Sequence, residues 1–441
     1  MLFTKILICF SMCVFTIGTY FIWFDRKNVL NHLGIGLCFV AYVIPLFVFD
    51  LNDFATDNTI NQYAIINILG ALTFILGLLI GVRWKSLILV DTVMKFSTAT
   101  DGIVNPKFGI GVIKASKVIY TICLVIMALC FLYMGFLPMF AADPYSAKQF
   151  KGIYNIRYHD VALFYRTSKQ LIQLLMPFLL ISFFDKKSKN ILLLIVIGVI
   201  LIAVSLSRSE AVTGLILIFS IIIALKKSKK VFIYYLLSLI FVYSLGSSFW
   251  IIASVYFPKA GYVHEIDNLS IGYAIASGAP DIPDQLSFLE AFNSNHIDFT
   301  YGLTFVGGLI PFNFKWNPSV WTLLVANDTD DISEIASGGL RLPVSLWGYV
   351  SFGWLGVVVV PFFSAFLIGY ITKKIKSIVN KLTAGANGYL IFYWLVFLYL
   401  NIGIVFTSFY TLSIYFLPGF VFYAMVNYFI KKTNHKRLPF N

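Results

Sequence analysis

The sequence predicts an all-α, polytopic transmembrane helical bundle of about eleven spans with a large extracytoplasmic loop subdomain. Three observations carry that prediction. Of 441 residues, 59% belong to the set AVILMFWYC and only 12% are charged, about half the charged fraction of a typical soluble domain. The charges are clustered, so stretches such as Leu33 to Phe49 and Val231 to Ile252 hold no Asp, Glu, Lys or Arg. Runs of roughly 17 to 25 such residues are what a helix needs to cross a bilayer with its backbone hydrogen bonds satisfied internally. Short alternating segments of about ten residues, the mark of a transmembrane β-barrel, are absent.

Apolar windows of about 19 residues place spans in order along the chain. The first is Leu2 to Phe24, too long for a signal-peptide core and without a small-residue cleavage site. Leu33 to Phe49, Tyr63 to Val82, Val118 to Phe136 and Leu171 to Phe184 follow. Then come Ile191 to Leu206, Ala211 to Leu225, Val231 to Ile252, Leu346 to Ile371, Tyr389 to Ser408 and Thr411 to Ile430. The chain thus divides into a helical region 1–257, a large loop 258–345, three late spans in 346–430 and a basic tail 431–441, with a smaller loop at about 137–166. The five cysteines all lie inside expected spans, without metal or disulfide spacing, and read as packing residues.

Orientation follows from the lysines. Arg26 and Lys27, Arg83 and Lys85, the clusters Lys186 to Lys189, Lys226 to Lys230 and Lys373 to Lys376, and the tail from Lys431 to Arg437 fall on one side, which the positive-inside rule makes cytoplasmic. The formal charge of +13 is therefore topological, and nucleic-acid binding is disfavoured. The N-terminus is then outside, with Lys5 weakly opposed to that placement, and the two larger outside loops are 137–166 and 258–345. The second holds ten of the twenty acidic residues, and its many aromatics argue for a folded cap of short helices rather than a disordered linker.

The arginines are distributed against the lysine trend. Arg157, Arg166, Arg208 and Arg341 fall outside, where a planar fork of donors suits a phosphate. The bland reading of each is an interfacial side chain or the partner of a nearby acid. Arg208 lies in Ser207-Arg208-Ser209-Glu210, the ionisable cluster between two short apolar runs, where it either serves a site or closes a helical hairpin through Glu210. The outside histidines His159, His264 and His296 are candidate proton acceptors near neutral pH, although for a loop histidine plain solvation is the commoner state. Walker, dinucleotide and nucleophile-elbow motifs are absent, which disfavours ATP hydrolysis and covalent serine catalysis.

Several short segments resemble the Wzy-type polymerases of O-antigen and capsular polysaccharide, the oligosaccharide repeat unit polymerases. They are Ser207-Arg208 between two short hydrophobic segments, Tyr301-Gly302-Leu303-Thr304-Phe305 followed by Ile310-Pro311 and Trp316-Asn317-Pro318, and Gly338-Gly339-Leu340-Arg341 leading to Gly348 through Gly356. In the last stretch Phe352-Gly353-x-x-Gly356 resembles the aromatic-Gly-x-x-Gly start of a late span. One departure counts against a two-loop catch-and-hold scheme. Some members carry an outside Arg with Gly eleven residues later, and the nearest spacing here is Arg341 to Gly353, at twelve.

The resemblance implies glycosyl transfer at the outer leaflet of a bacterial cytoplasmic membrane. A chain linked through pyrophosphate to undecaprenol would move onto another lipid-linked repeat unit. Outside arginines would face the leaving diphosphate, His264, His296, Asp298 or Glu210 would take the acceptor's proton, aromatics such as Tyr301 would meet sugar, and neither metal, ATP nor nucleotide sugar would be required. Implied partners are the lipid-linked oligosaccharide, membrane lipid, a chain-length regulator and a flippase. Two rivals stay open: an O-antigen ligase with the same donor, and a transporter or flippase for lipid-linked oligosaccharide. The near absence of ionisable residues from the middle of the spans speaks against a coupled transporter. Under the polymerase implication, Arg208→Ala leaves the protein in the membrane but reduces surface polysaccharide to single repeat units. Gel analysis of extracted polysaccharide checks this, and unchanged long chains would remove Arg208 from the site.

Overall fold

A computed structural model describes residues 1–88, 90–91, 106–226, 228–256, 270–309, 315–331, 335, 339–401 and 417–435. Among them all regular structure is helical. Seven helical segments are long and apolar enough to cross a membrane: Leu2–Phe21, Val29–Val48, Asp57–Arg83, Phe108–Phe140, Gly152–Lys186, Lys229–Ser248 and Val344–Val379. At 1.5 Å per residue the 27 residues of Asp57–Arg83 reach about 40 Å, enough for a hydrocarbon layer of about 30 Å. Three further apolar helices are shorter, Lys189–Val204, Thr213–Lys226 and Ala386–Leu400. The expected spans Tyr389 to Ser408 and Thr411 to Ile430 run partly outside the described residues.

Two compact units divide these helices, and neither is contiguous in sequence. The first comprises Met1–Trp84, Ser228–Lys376 and Gly403–Ile414. It is built on α1 (Leu2–Ile17), α2 (His32–Cys38), α3 (Ile44–Val48) and α4 (Asp57–Arg83). The helices α2 and α3 are joined by a wide turn, Phe39–Val43, because Pro45 lacks the N–H that would continue a regular helix. The second unit comprises Lys85–Lys227, Ser377–Ile402 and Tyr415–Asn441. Its helices begin with α5 (Pro106–Met134), α6 (Pro144–Gln149), α7 (Asn155–Lys186), α8 (Lys189–Val204) and α9 (Arg208–Lys226).

The chain returns to the first unit through α10 (Lys229–Tyr256) and four short helices, α11 (Ile271–Ser277), α12 (Asp281–Ser294), α13 (Leu303–Gly307) and α14 (Pro318–Asn327). Then come the long α15 (Val344–Val379) and, in the second unit, α16 (Ala386–Asn401) and α17 (Leu417–His435). The short helices share one core with the long ones. Ile282, Leu286, Phe288 and Phe292 of α12 and Trp321 of α14 pack in the same apolar cluster as Phe15, Ile60, Tyr63 and Phe74. At the head of α4, the Glu290 carboxylate accepts from the Thr56 backbone N–H at 2.9 Å and from its hydroxyl at 3.0 Å, while Asn293 donates to Gln62 at 2.8 Å. Donation from the Thr56 backbone is the main reason that Glu290 titrates below its ordinary range.

Two features of α15 determine where its ends lie. Gly70, Gly77 and Gly81 fall on one face of α4, and a Cβ at each would collide with Ser345, the Phe362 carbonyl or the Phe366 carbonyl. Gly369 answers from α15 against Leu78, so the two backbones meet at the separation that only small residues allow. The other feature is a break at Phe352 and Gly353, where Gly353 takes φ 58° and ψ −147°, a region essentially reserved for glycine. The break folds Gly348 against Gly356, which explains the spacing of the aromatic-Gly-x-x-Gly segment. Carbonyls exposed there accept from the loop: Thr300 N–H to Val350 at 2.9 Å and Tyr301 N–H to Ser351 at 3.0 Å.

Lysines close the helix ends of the first unit. Lys5 donates to the Phe49 carbonyl at the end of α3, which gives this isolated lysine a local role whatever side of the membrane it faces. Lys373 donates to the Trp84 carbonyl and Lys376 to that of Ile22, so the turns after α1 and α4 and the far end of α15 lie together. In the second unit the core is aromatic: Phe178, Tyr393, Trp394, Phe397 and Phe422 pack edge to face and tilted, and the Tyr393 hydroxyl donates to Leu174 at 2.6 Å. Cys38, Cys123 and Cys130 are buried, as packing residues would be, and Cys13 approaches Cys38 at 3.6 Å as free thiols.

The glycine contact is open to a direct test. Gly77→Leu or Gly81→Leu is expected to lower stability by about 1–3 kcal/mol or more, because a rigid carbonyl cannot yield. Gly246→Ala, whose Cβ would meet open space, is expected to be nearly neutral. Thermal unfolding of the detergent-solubilised protein reads the difference, and equal behaviour of all three would refute the contact.

Candidate functional site

Two of the acids and the arginine of the segment 270–345 come together at the start of α12. Asp281 opens that helix after Pro280, and Asp284 follows one turn later on the same face. Arg341 precedes α15 and reaches back to Asp281, with 3.6 Å between the charged groups. Asp281 is only 6% exposed, whereas Arg341 keeps 45% of its side-chain surface in solvent. Asp284 is half-buried.

A chain of buried polar groups fixes this pair. Gln285 donates from its amide to the backbone carbonyl of Arg341 and accepts from the Tyr63 hydroxyl. One turn down α4, Asn67 donates to the Tyr63 carbonyl at 2.9 Å and accepts from the Ser345 hydroxyl at 2.6 Å. Gln285, Tyr63, Asn67 and Ser345 are all buried, so each polar atom left without a partner would cost about 1–3 kcal/mol. The backbone that carries Arg341 is therefore held at both sides of Pro343, by Gln285 at residue 341 and by Asn67 at residue 345.

Electrostatics at the cluster follow from burial. Removal from water pushes Asp281 above its usual carboxylate range, and the Arg341 guanidinium opposes that. Asp284 is pushed up to about 7, first by burial and then by the Asp281 charge, again against the pull of Arg341. Asp284 thus carries only part of its negative charge at neutrality, and the half-exposed guanidinium is the permanent charge of the group.

The other candidates are placed as follows. His296 and Asp298 are exposed on the loop after α12, with His296 at φ 50°. Tyr301 is 72% exposed at φ 48°, directly over the break in α15, where Thr300 also meets the Ser351 hydroxyl at 3.1 Å. Exposed Phe352 and Trp354 lie at the same break. His264 lies outside the described residues, as do the side chains of Arg208 and Glu210, although the backbone of both belongs to the first turn of α9.

Arg157 and Arg166 belong to the second unit. Arg157 is exposed and lies under Gly135, where a Cβ would sit 3.1 Å from its guanidinium. Arg166 donates to the Tyr158 hydroxyl at 2.5 Å and stands 5.6 Å over that ring, and Tyr158 stacks on Phe150. One turn along α7, Lys169 donates to Ser207 at 2.8 Å, immediately before Arg208. The sequence reading did not single out Lys169, Asp281, Asp284 or Gln285. The available signal was the pair of acids three residues apart behind Pro280, at the start of an apolar helical pattern.

No family model, curated protein or solved structure matches the chain. The site therefore stands on its own geometry.

Its titration has a stability consequence. Asp284 binds its proton more tightly folded than unfolded, so its contribution is fully present below the ordinary value of 3.8 and is lost as pH rises through about 7. The wild-type melting temperature is expected to fall across that interval, and less steeply in Asp284→Asn, which should be the more stable protein at about pH 8. A pH series of thermal melts in detergent decides it; a variant that melts below wild type throughout would contradict this electrostatic account.

Proposed function

We propose that this chain polymerises undecaprenyl-pyrophosphate-linked oligosaccharide repeat units into O-antigen or capsular polysaccharide, as a multi-pass glycosyltransferase of the bacterial cytoplasmic membrane working at its outer leaflet. The reading is supported first by Arg341, a half-exposed guanidinium whose backbone is locked by buried hydrogen bonds and whose side chain is backed by a buried carboxyl. A half-exposed guanidinium is suited to a diphosphate oxygen, and worth most where its position needs no rearrangement as charge develops. The Ser207-Arg208 segment and the aromatic-Gly-x-x-Gly break at Phe352-Gly353 are the sequence features that connect the chain with Wzy-type polymerases.

In this reading the donor's diphosphate lies against Arg341, and the acceptor sugar approaches from the side of the exposed aromatics. Leaving-group charge grows on the lipid diphosphate as the glycosidic bond breaks, and the guanidinium stabilises it. The energy comes from the bond that breaks, so no nucleotide is consumed. The reading has the basic loops in the cytoplasm and the segment 258–345 outside, as the positive-inside rule expects.

Arg341 provides the test. In a host whose surface polysaccharide depends on this gene, Arg341→Ala is expected to cut polymer formation by about 100-fold, with Arg341→Lys intermediate because one bidentate contact is lost. Chain-length ladders of extracted polysaccharide read the outcome, with membrane abundance checked by immunoblot. A single cysteine at Asn295 should react with an impermeant maleimide on intact cells; reaction only after lysis would put the acidic segment in the cytosol and end the assignment.

A further inference from the structure

The two carboxyls at the head of α12 have different surroundings. Asp281 is buried against Arg341, while Asp284, one turn on, is half-buried and keeps part of its surface in solvent. We propose that Asp284 is the residue that takes the proton from the acceptor hydroxyl, with Asp281 acting as a positioning residue that holds Arg341 toward the diphosphate. The inference rests on the glycosyl-transfer reading above and adds the base to it.

Geometry carries the assignment. Asp281 is occupied by Arg341, and its depth keeps substrate from reaching it. Gln285, the next residue of that turn, is buried and committed to Tyr63 and to the Arg341 carbonyl. Asp284 combines access to solvent with proximity to the fixed guanidinium. The charged groups that act on it are Asp281 from its own helix and Arg341 from the segment before α15. The surrounding spans contribute neutral tyrosines, Tyr63 from α4 bonded to Gln285, Tyr42 from the turn 39–43 within the field of Asp281, and Tyr243 from α10 within that of Arg341. By contrast, His296 and Asp298 stand on an exposed loop.

The step balances without a further reagent. The acceptor O–H gives its proton to the Asp284 carboxylate, and the oxygen lone pair forms the new bond to the donor's anomeric carbon. The bond from that carbon to the diphosphate oxygen breaks, and its electron pair leaves on the lipid diphosphate beside Arg341. Asp284 then loses the proton to water. A carboxyl that titrates near neutrality is a stronger base than an ordinary carboxylate and is still substantially ionised.

The test uses the purified full chain in proteoliposomes, fed with lipid-linked repeat units extracted from a deletion strain of the same host. Wild-type polymerisation is expected to fall about tenfold per pH unit below about pH 7. Asp284→Asn should be at least about 100-fold slower with that limb abolished, Asp284→Glu should restore part of the rate with a shifted limb, and Asp298→Asn should behave as wild type. An Asp284→Asn protein that makes long polymer at the wild-type rate overturns the base assignment and leaves the polymerase reading intact. If wild-type protein makes no polymer and the deletion strain keeps its long surface chains, the polymerase reading falls, and the base assignment with it.

Discussion

The close approach of α4 and α15 is the constraint on which the rest of the first unit depends. Glycines at 70, 77, 81 and 369 remove the side chains that would separate the two backbones, and the gain is dispersion contact along the whole crossing. Within a bilayer there is little hydrophobic drive to press helices together, so shape has to supply the association. Once the helices touch, Ser345 lies on Asn67 and the backbone at Arg341 comes under Gln285 and Tyr63. A charge-bearing residue in a loop is thereby located by packing that happens lower in the same helix pair.

This arrangement makes the loop helices part of the bundle. The α12 helix buries Phe288 and Phe292 in the core shared with α1 and α4, while Glu290 caps α4 from outside its own segment. The same burial that holds α12 in place withdraws water from Asp281 and Asp284. Stability and the proposed reactivity thus have one cause: the apolar face of α12 stabilises the fold, and its first turn is withdrawn from water far enough to push Asp281 above its usual range and Asp284 up to about 7. Replacement of either acid by its amide would relax the electrostatic cost and remove the function proposed for it.

Much of this was legible in the chain, because the relevant physics is local. Uncharged runs announce membrane helices by length alone, whereas Phe352-Gly353-x-x-Gly356 reads as the entry to a late span and the structure puts there a break inside α15, where only glycine tolerates the backbone. Arg341 stood out because it opposed the lysine trend. Asp281 and Asp284 did not stand out, since ten acids in one loop look alike until burial separates them, and burial is a property of the fold. The contact that fixes Arg341 joins residues 278 positions apart, Asn67 and Ser345, both of types common in helices. Arg166 shows another limit: it reads as a phosphate grip, and its contact with Tyr158, eight residues earlier, exists only once α7 is wound.

Arginine rather than lysine at position 341 follows from what the position demands. A lysine ammonium is a strongly hydrated point charge with no planar fork, so it would fix no direction beside Asp281. A guanidinium keeps its charge beside a buried carboxyl and can present one edge to Asp281 while another faces outward, so the ion pair orients the side chain without neutralising its exposed surface. Asp281 is costly to bury and is kept in part by that pairing, which restricts Arg341 to a narrow range of directions. The polar ladder from Ser345 to Gln285 restricts the backbone, and the ion pair restricts the side chain. A group fixed at both levels can stabilise a growing negative charge without first paying to become ordered, which is the physical condition for an anion-stabilising site at a bilayer surface.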